Sequence, residues 1–142
     1  MKKKFVSVKF KNKFTKKKRQ WGDEIVLNVI SKILSLKILK IKKGKKGGLQ
    51  FHRKKNECGI LLSGKLKIIY FNKKKLSSKI LNPGQCFHFS PGTIHQEIAL
   101  KKCVIIEASS PHLNDRVRVE SLFGLKNFSG LATTKIKEII KL

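Results

Sequence analysis

The sequence predicts an all-β domain, a sandwich or barrel built from many short strands. Apolar segments rich in β-branched and aromatic residues recur at roughly ten-residue spacing, with Gly- and Pro-containing turns between them. The strongest turn signals are Asn82–Gly84 and Pro91-Gly92, and Cys103–Ala108 is typical of a buried strand. With 142 residues, of which 40% are hydrophobic, the chain can form one domain with its own core.

The strand assignment rests on residue type and on the positions of turns. The segment from Asp23 to Ile41 also fits one face of a helix, but its β-branched content favours two strands. A turn at Ser63-Gly64 and a polar turn at Asn72–Lys75 are expected to divide the middle of the chain. The predicted strands are Glu24–Asn28, Leu36–Ile41, Gly59–Leu62, Lys65–Phe71, Lys79–Leu81, Cys86–Phe89, Ile94–Leu100 and Cys103–Ala108.

Both ends of the chain differ in composition from the middle. Residues 1–19 form a basic arm, with a short strand near Phe5–Phe10 and a solvated run at Lys11–Lys18. Residues 20–130 form the predicted domain. In residues 131–142 the isoleucines lie on one helical face, which predicts a short C-terminal helix packed on the barrel or on a partner subunit.

The charge and the cysteines limit the class of protein. A formal charge of +26 fits a polyanion partner or a lysine-biased proteome, and the scarcity of arginine and of interleaved aromatics argues against specific nucleic-acid binding. No long apolar run predicts a membrane span, and no secretory signal is evident. Three cysteines without a CxxC pair favour free thiols in a cytoplasmic protein, with Cys86 and Cys103 in the core.

Four polar side chains from two predicted hairpins form a candidate metal site. Gln50 and His52 are two residues apart, so they share one face of a strand, and Glu57 follows five residues later. His95 comes just after the Pro91-Gly92 turn. Two imidazoles, a carboxylate and an amide oxygen suit a divalent metal such as Zn, Mn, Fe, Ni or Co. His88 and His112 are not expected to be ligands.

The spacing of these residues resembles the two motifs of the cupin family. Gly44-x5-Gln50-x-His52-x4-Glu57-x6-Gly64 is similar to the first motif, and Gly84-x5-Ser90-Pro91-Gly92-x2-His95 is similar to the second. In this chain Gln50 stands where many members have a histidine, and Ala99 replaces the usual Asn. The resemblance implies a jelly-roll barrel, also called a double-stranded β-helix, that often forms a homodimer.

Within the cupins, the chain resembles the mannose-6-phosphate isomerase branch, including the C-terminal domain of bifunctional isomerase/GDP-mannose pyrophosphorylases. The resemblance rests on Arg19–Gly22, on Leu49–His52 with Glu57, and on a late segment in which Asp115, Arg118, Glu120 and Gly124 match Asp-x-x-Arg-x-Glu-x-x-x-Gly. It spans residues 19–124. The chain departs from this branch at Cys58-Gly59, which replaces His-Trp, and at Leu125, which replaces an arginine.

This branch implies a metal-dependent aldose–ketose isomerisation, for which further residues are assigned. Glu97 should share a face with His95 and is the candidate base. Lys65 or Arg118 can neutralise a substrate anion, although Arg118 can instead pair with Glu120. Substrate contacts are assigned to Arg19, Trp21 and Glu120, with a core or lid role as the alternative for Trp21.

Three functions remain open from the sequence. The first is a metal-dependent isomerase or epimerase of a sugar phosphate or nucleotide sugar, in carbohydrate or surface-polysaccharide metabolism. The second is another metal-cupin enzyme, such as a dioxygenase or a lyase. The third is a non-catalytic sugar-binding or regulatory cupin, which the departures at Ala99 and Leu125 favour.

Overall fold

The structure, a computed structural model, describes residues 14–30, 33–112 and 115–125. These residues are nearly all β, and the described strands belong to one curled, nine-stranded sheet. The strands are β1 (Thr15–Arg19), β2 (Gly22–Ile30), β3 (Leu34–Ile41), β4 (Gln50–His52), β5 (Glu57–Asn72), β6 (Lys75–Leu81), β7 (Cys86–Phe89), β8 (His95–Ser109) and β9 (Arg116–Arg118). A short 3-10 helix, Glu120–Phe123, follows β9.

All the strand pairs are antiparallel, and the long strands β5 and β8 form the central one. On one side, the sheet continues from β8 through β3 and β2 to β1. At its other end β8 meets β4, which pairs with β9, while β5 also pairs with β6 and β7. The β2–β3 hairpin confirms the choice of strands over a helix for Asp23–Ile41.

Two predicted boundaries were wrong because a strand continues through each of them. Ser63-Gly64 is a bulge inside β5 rather than a turn, and the register to β8 shifts there. Gly64 has φ +99°, which a glycine adopts without strain, so the strand bends without ending. Similarly, the predicted strands Ile94–Leu100 and Cys103–Ala108 are joined in the single strand β8, which begins at His95 and whose exposed lysines at 101 and 102 resembled a loop in the sequence.

The described residues include only part of the predicted N-terminal arm and none of the predicted C-terminal helix. Residues 15–18 of the predicted solvated run lie in β1 and pair with β2, although their side chains are exposed. The predicted strand at Phe5–Phe10 and the C-terminal helix at residues 131–142 lie outside the described residues. No helix in the described part of the chain has the length and apolar character needed to cross a membrane.

The core consists of alternate residues from the inward face of the sheet. Its buried members are Leu39, Ile41, Leu61, Leu66, Ile68, Leu81, Phe87, Phe89, Ala99, Cys103 and Ile105, and Trp21 and Tyr70 pack against them. The three cysteines are free thiols, as predicted. Cys103 is buried, but Cys86 is exposed, so the core assignment of Cys86 was wrong. Its strand neighbours Phe87 and Phe89 face inward, which turns Cys86 outward.

Candidate metal centre

Backbone pairing brings the two predicted motifs together. Gln50 of β4 pairs directly with His95 of β8. The amide of Gly92, in the Pro91-Gly92 turn, donates to the carbonyl of His52 over 2.8 Å. Glu57 is the first residue of β5, immediately after the loop that follows β4. The side chains of one motif are therefore positioned by hydrogen bonds to the other.

His52, Glu57 and His95 form the centre, and all three are buried. The Oε1 atom of Glu57 lies 3.1 Å from Nε2 of His95 and 3.7 Å from Nε2 of His52. One ligand atom from each residue lies within 4.8 Å of the others, which is the spacing a single metal ion requires. Gln50 adjoins the cluster, with its Nε2 atom 3.5 Å from Nε2 of His52.

The orientation of the histidines fits metal binding. Nδ1 of His52 lies 2.8 Å from Oδ1 of Asp115, and Nδ1 of His95 lies 2.8 Å from the carbonyl oxygen of Thr93. Both oxygens can only accept, so each Nδ1 carries a proton and Nε2 is the ring atom that faces Glu57 and would bind a metal. Burial, with a smaller contribution from Lys55, lowers the pKa of His52, which favours the neutral ring of His52 although Glu57 and Asp115 oppose it.

Asp115 and Lys55 support the cluster from outside, and the sequence analysis did not assign them these roles. The second oxygen of Asp115 accepts from the backbone amides of Lys54 and Lys55, each over 2.7 Å. The buried amine of Lys55 contacts Oε2 of Glu57 and, over 3.3 Å, Oε1 of Glu107. Burial acts to raise the pKa of Glu57, but His95, Lys55 and His52 together lower it well below its usual range. Glu57 is therefore ionised.

A cavity of about 150 Å³ opens beside the metal centre. Gln50, His52 and Glu57 contribute to its wall, as do Glu97, Arg118, Arg19 and Trp21. Oε1 of Glu97 is shielded from solvent and has no hydrogen-bond partner among the described residues. Burial, and then the charges of Glu107 and Glu57, raise the pKa of Glu97 to about 8. This carboxyl group is thus suited to both accepting and donating a proton near neutral pH.

The structure separates the other predicted site residues. Trp21 packs against the core and also lines the cavity, and its contact with a substrate stays a prediction. Lys65 lies opposite Lys101 in the β5–β8 ladder and does not line the cavity. Glu120 is buried outside the cavity wall, where it accepts from the amide of Leu49 over 3.0 Å and lies 4.0 Å from Nη1 of Arg118. His88 and His112 contact Asn56 and Ser110 and do not join the cluster.

Gly48 allows Arg118 to reach the cavity. A Cβ atom at position 48 would lie 1.3 Å from Nη1 of Arg118 and 2.7 Å from Oε1 of Glu120. The guanidinium therefore occupies the space that any larger residue would fill. Nothing in the sequence pattern indicated this role for Gly48.

Comparisons with known proteins support the same fold. The capsular polysaccharide assembling protein CapF from Staphylococcus aureus superposes with a TM-score of 0.66 at 15% identity, over 78% of this chain and 32% of CapF. An oxalate decarboxylase from Bacillus subtilis, which has Mn(II) centres, gives 0.67 at 16% identity, over 85% of this chain and 39% of that enzyme. These are cupin-fold proteins. The chain has the cupin fold.

Other comparisons show how far the similarity to known proteins extends. KdgF from a Halomonas species gives a TM-score of 0.56 at 20% identity, over 66% of this chain and 82% of KdgF. The chain spans only about a third of the length of CapF. No family model matches the sequence, and a search of curated proteins finds no match. The cupin fold and the His52–Glu57–His95 cluster together support a metal-binding cupin.

Proposed function

We propose that this protein is a metal-dependent cupin enzyme that isomerises or epimerises a sugar phosphate or nucleotide-linked sugar. The observation that carries the proposal is the position of Glu97, which lines the cavity beside the candidate metal centre and whose Oε1 has no hydrogen-bond partner within the described part of the chain. A proton must move between adjacent carbons in such a reaction, and an unpartnered carboxyl group can carry it. CapF is a capsular polysaccharide assembling protein, which supports a carbohydrate substrate.

Each residue of the cavity has a distinct part in the proposed reaction. His52, Glu57 and His95 would hold a divalent cation, with Gln50 as a further oxygen ligand, and the cation would polarise a substrate carbonyl or hydroxyl. Glu97 takes a proton from one carbon and returns it to the neighbouring one. Trp21 covers the apolar side of the sugar, and Arg19 and Arg118 provide positive charge. The homodimer and the cytoplasmic location predicted from the sequence remain part of this proposal.

Metal analysis and a turnover panel test the proposed function. Protein purified without an affinity tag is expected to contain a stoichiometric divalent metal and to interconvert at least one member of a panel of aldose phosphates and nucleotide sugars. Glu97→Gln should retain the metal and lose most of the turnover, since an amide cannot accept the proton. His95→Ala should lose both. A metal-loaded protein that turns over nothing in the panel would contradict the proposal.

A non-catalytic sugar-binding cupin is the second candidate. Leu125, which is 47% exposed, takes the place of a basic residue in the resembled branch, and the buried Ala99 takes the place of an Asn. Saturable sugar binding without turnover would favour this candidate. Oxygen consumption dependent on Fe(II) would instead favour a dioxygenase.

A further inference from the structure

Six charged residues on the cavity wall form a series of alternating cations and acids. Apart from the closer contact between Lys55 and Glu57, the distances between successive partners run from 2.7 Å for Arg19 and Glu24 to 3.7 Å for Lys37 and Glu107. In order of contact, the members are Arg19, Glu24, Lys37, Glu107, Lys55 and Glu57. Within this series the positive charges are compensated by the protein itself.

Arg116 and Arg118 lie outside this series. The side chain of Arg118 is only 3% exposed, yet its Nε and Nη1 atoms have no hydrogen-bond partner among the described residues. The nearest carboxylate oxygen, Oε1 of Glu120, is 4.0 Å away and already accepts from the amide of Leu49. Nε of Arg116 is likewise buried without a partner. Burying a positive charge without a counter-charge is unfavourable. A negative charge on a bound ligand would therefore stabilise these two guanidinium groups.

The register of β4 and β9 directs both arginines toward the metal centre. Arg116 pairs with His52, and Arg118 pairs with Gln50. Side chains of directly opposed residues lie on the same face of a sheet, with Cβ atoms about 4.5–5.5 Å apart. Both arginines line the same cavity as these two residues.

We propose that Arg116 and Arg118 form a subsite for an oxyanion, either a carboxylate or a phosphate, carried by the substrate. Guanidinium groups bind such anions through paired N–H donors in a fixed planar geometry, which suits both chemistries. Burial, and then the charge of Arg116, lower the pKa of Arg118 to about 10, so the two guanidinium groups repel each other. An oxyanion between the two groups would relieve that repulsion.

The position of the subsite defines the class of substrate. It lies one strand away from the metal ligands, so the anionic group and the reacting carbons must belong to one compact molecule. A sugar acid or a monosaccharide phosphate, which carries its anionic group on the same small molecule as the reacting carbons, meets this requirement. This narrowing of the substrate rests on the proposed function, but binding of the anion does not.

Anion titrations of the metal-free full-length chain test the subsite directly. Inorganic phosphate and acetate are titrated separately at fixed ionic strength, with thermal unfolding and calorimetry as readouts. Wild-type protein is expected to show saturable one-to-one binding of at least one of them, and the tighter anion identifies the source chemistry. Arg118→Met and Arg116→Met should each weaken that binding by about tenfold or more. Arg53→Met is the matched control, since Arg53 is exposed, and should leave binding unchanged.

A measurement on wild-type protein guards against misfolded variants. The Nε–Hε nuclear magnetic resonance signals of Arg116 and Arg118 should shift saturably with the tighter anion, while that of Arg53 stays in place. A linear, unsaturable response, or equal affinity in all the variants, would overturn the subsite. Saturable binding without turnover would support the anion subsite and contradict the proposed function. Turnover with an unchanged KM in both variants would support the proposed function and contradict the subsite.

Discussion

Each histidine of the metal centre is oriented by a hydrogen bond on the side that faces away from Glu57. For His52 the partner is Asp115, which also holds the amides of Lys54 and Lys55. One carboxylate therefore sets the imidazole tautomer and the shape of the loop that leads to Glu57. Outer partners of this kind fix the tautomer and the ring orientation of a metal-binding histidine.

Asp115→Asn is expected to weaken metal binding by about 10- to 100-fold. An amide has one acceptor oxygen, so it cannot serve both the His52 proton and the two backbone donors that Asp115 satisfies. Competition with a chromogenic chelator measures the affinity. Asp23→Asn, at a carboxylate that pairs with surface lysines, should leave it unchanged. Equal affinities in the two variants would show that Asp115 does not orient the ligand.

At the scale of a single strand, the bulge at Ser63-Gly64 determines which side chains of β5 face the core. Before the bulge its buried residues are odd-numbered, as at Glu57 and Leu61, and after it they are even-numbered, as at Leu66 and Ile68. The bulge changes which alternate residues face inward, so the same strand supplies the candidate metal ligand Glu57 at one end and apolar core at the other. Gly64 provides the backbone conformation for this change.

Gly64→Ala should lower the free energy of unfolding by about 2–4 kcal/mol. The residue has φ +99°, and a Cβ atom there would lie 2.2 Å from the carbonyl oxygen of Lys102, a backbone atom that cannot easily move. Gly84→Ala is a suitable control because its φ is +88° but its Cβ would meet no neighbour. It should cost only about 1–2 kcal/mol. Similar losses in both variants, measured by chemical denaturation, would refute the steric explanation.

The packing of β1 to β3 places Glu24 between Arg19 and Lys37. Burial acts to raise the pKa of Glu24, but Lys37 and Arg19 together lower it. Because the folded-state pKa is lowered, this carboxylate stabilises the fold fully above its unfolded pKa of about 4.3. The contribution is lost as the pH falls through the folded-state value.

Glu24→Gln should therefore reduce stability at pH 7 and have progressively less effect as the pH falls below about 4.3. The measurement is the free energy of unfolding of both proteins between pH 7 and pH 3. In acid the wild-type side chain is protonated and uncharged, like glutamine, so the two curves should converge. A difference in stability that grows toward low pH would show that folding does not lower the pKa of Glu24.

Across the whole molecule, acidic and basic residues are distributed differently. The chain has 34 Lys+Arg and only 8 Asp+Glu. The carboxylates that are buried or line the cavity are Glu24, Glu57, Glu97, Glu107, Asp115 and Glu120. Most acidic residues thus serve the site or its supports, while lysines occupy much of the described surface. That surface leaves a large uncompensated positive charge.

Added salt is expected to stabilise the protein. Raising KCl from 20 mM to 300 mM screens repulsion among surface lysines and should increase the free energy of unfolding by about 1 kcal/mol, or roughly 4 °C in Tm. The buried ion pairs around Lys55 are screened much less. Thermal unfolding at constant pH measures the effect, and a fall in Tm with salt would mean that surface ion pairs outweigh the repulsion.

The sequence by itself determined most of the strands and the candidate metal ligands His52, Glu57 and His95. Alternating apolar residues and turn signals are local, and Gln50, His52 and Glu57 lie within eight residues of one another, so their pattern survives without knowledge of the fold. The exceptions, at Gly64 and at residues 101–102, are places where a local turn or loop signal lies inside a strand that is maintained by its neighbours.

Only the tertiary structure decided which residues surround the metal centre. Lys55 is one lysine in a basic loop until burial pairs it with Glu57, and Asp115 is 63 residues away from His52. Arg116 and Arg118 reach the cavity through the β4–β9 register, whereas Lys65 is kept away by its place in β5. Register between distant antiparallel strands depends on the whole sheet and leaves no local signal, so the roles of Lys55, Asp115 and Arg116 could not be predicted from sequence.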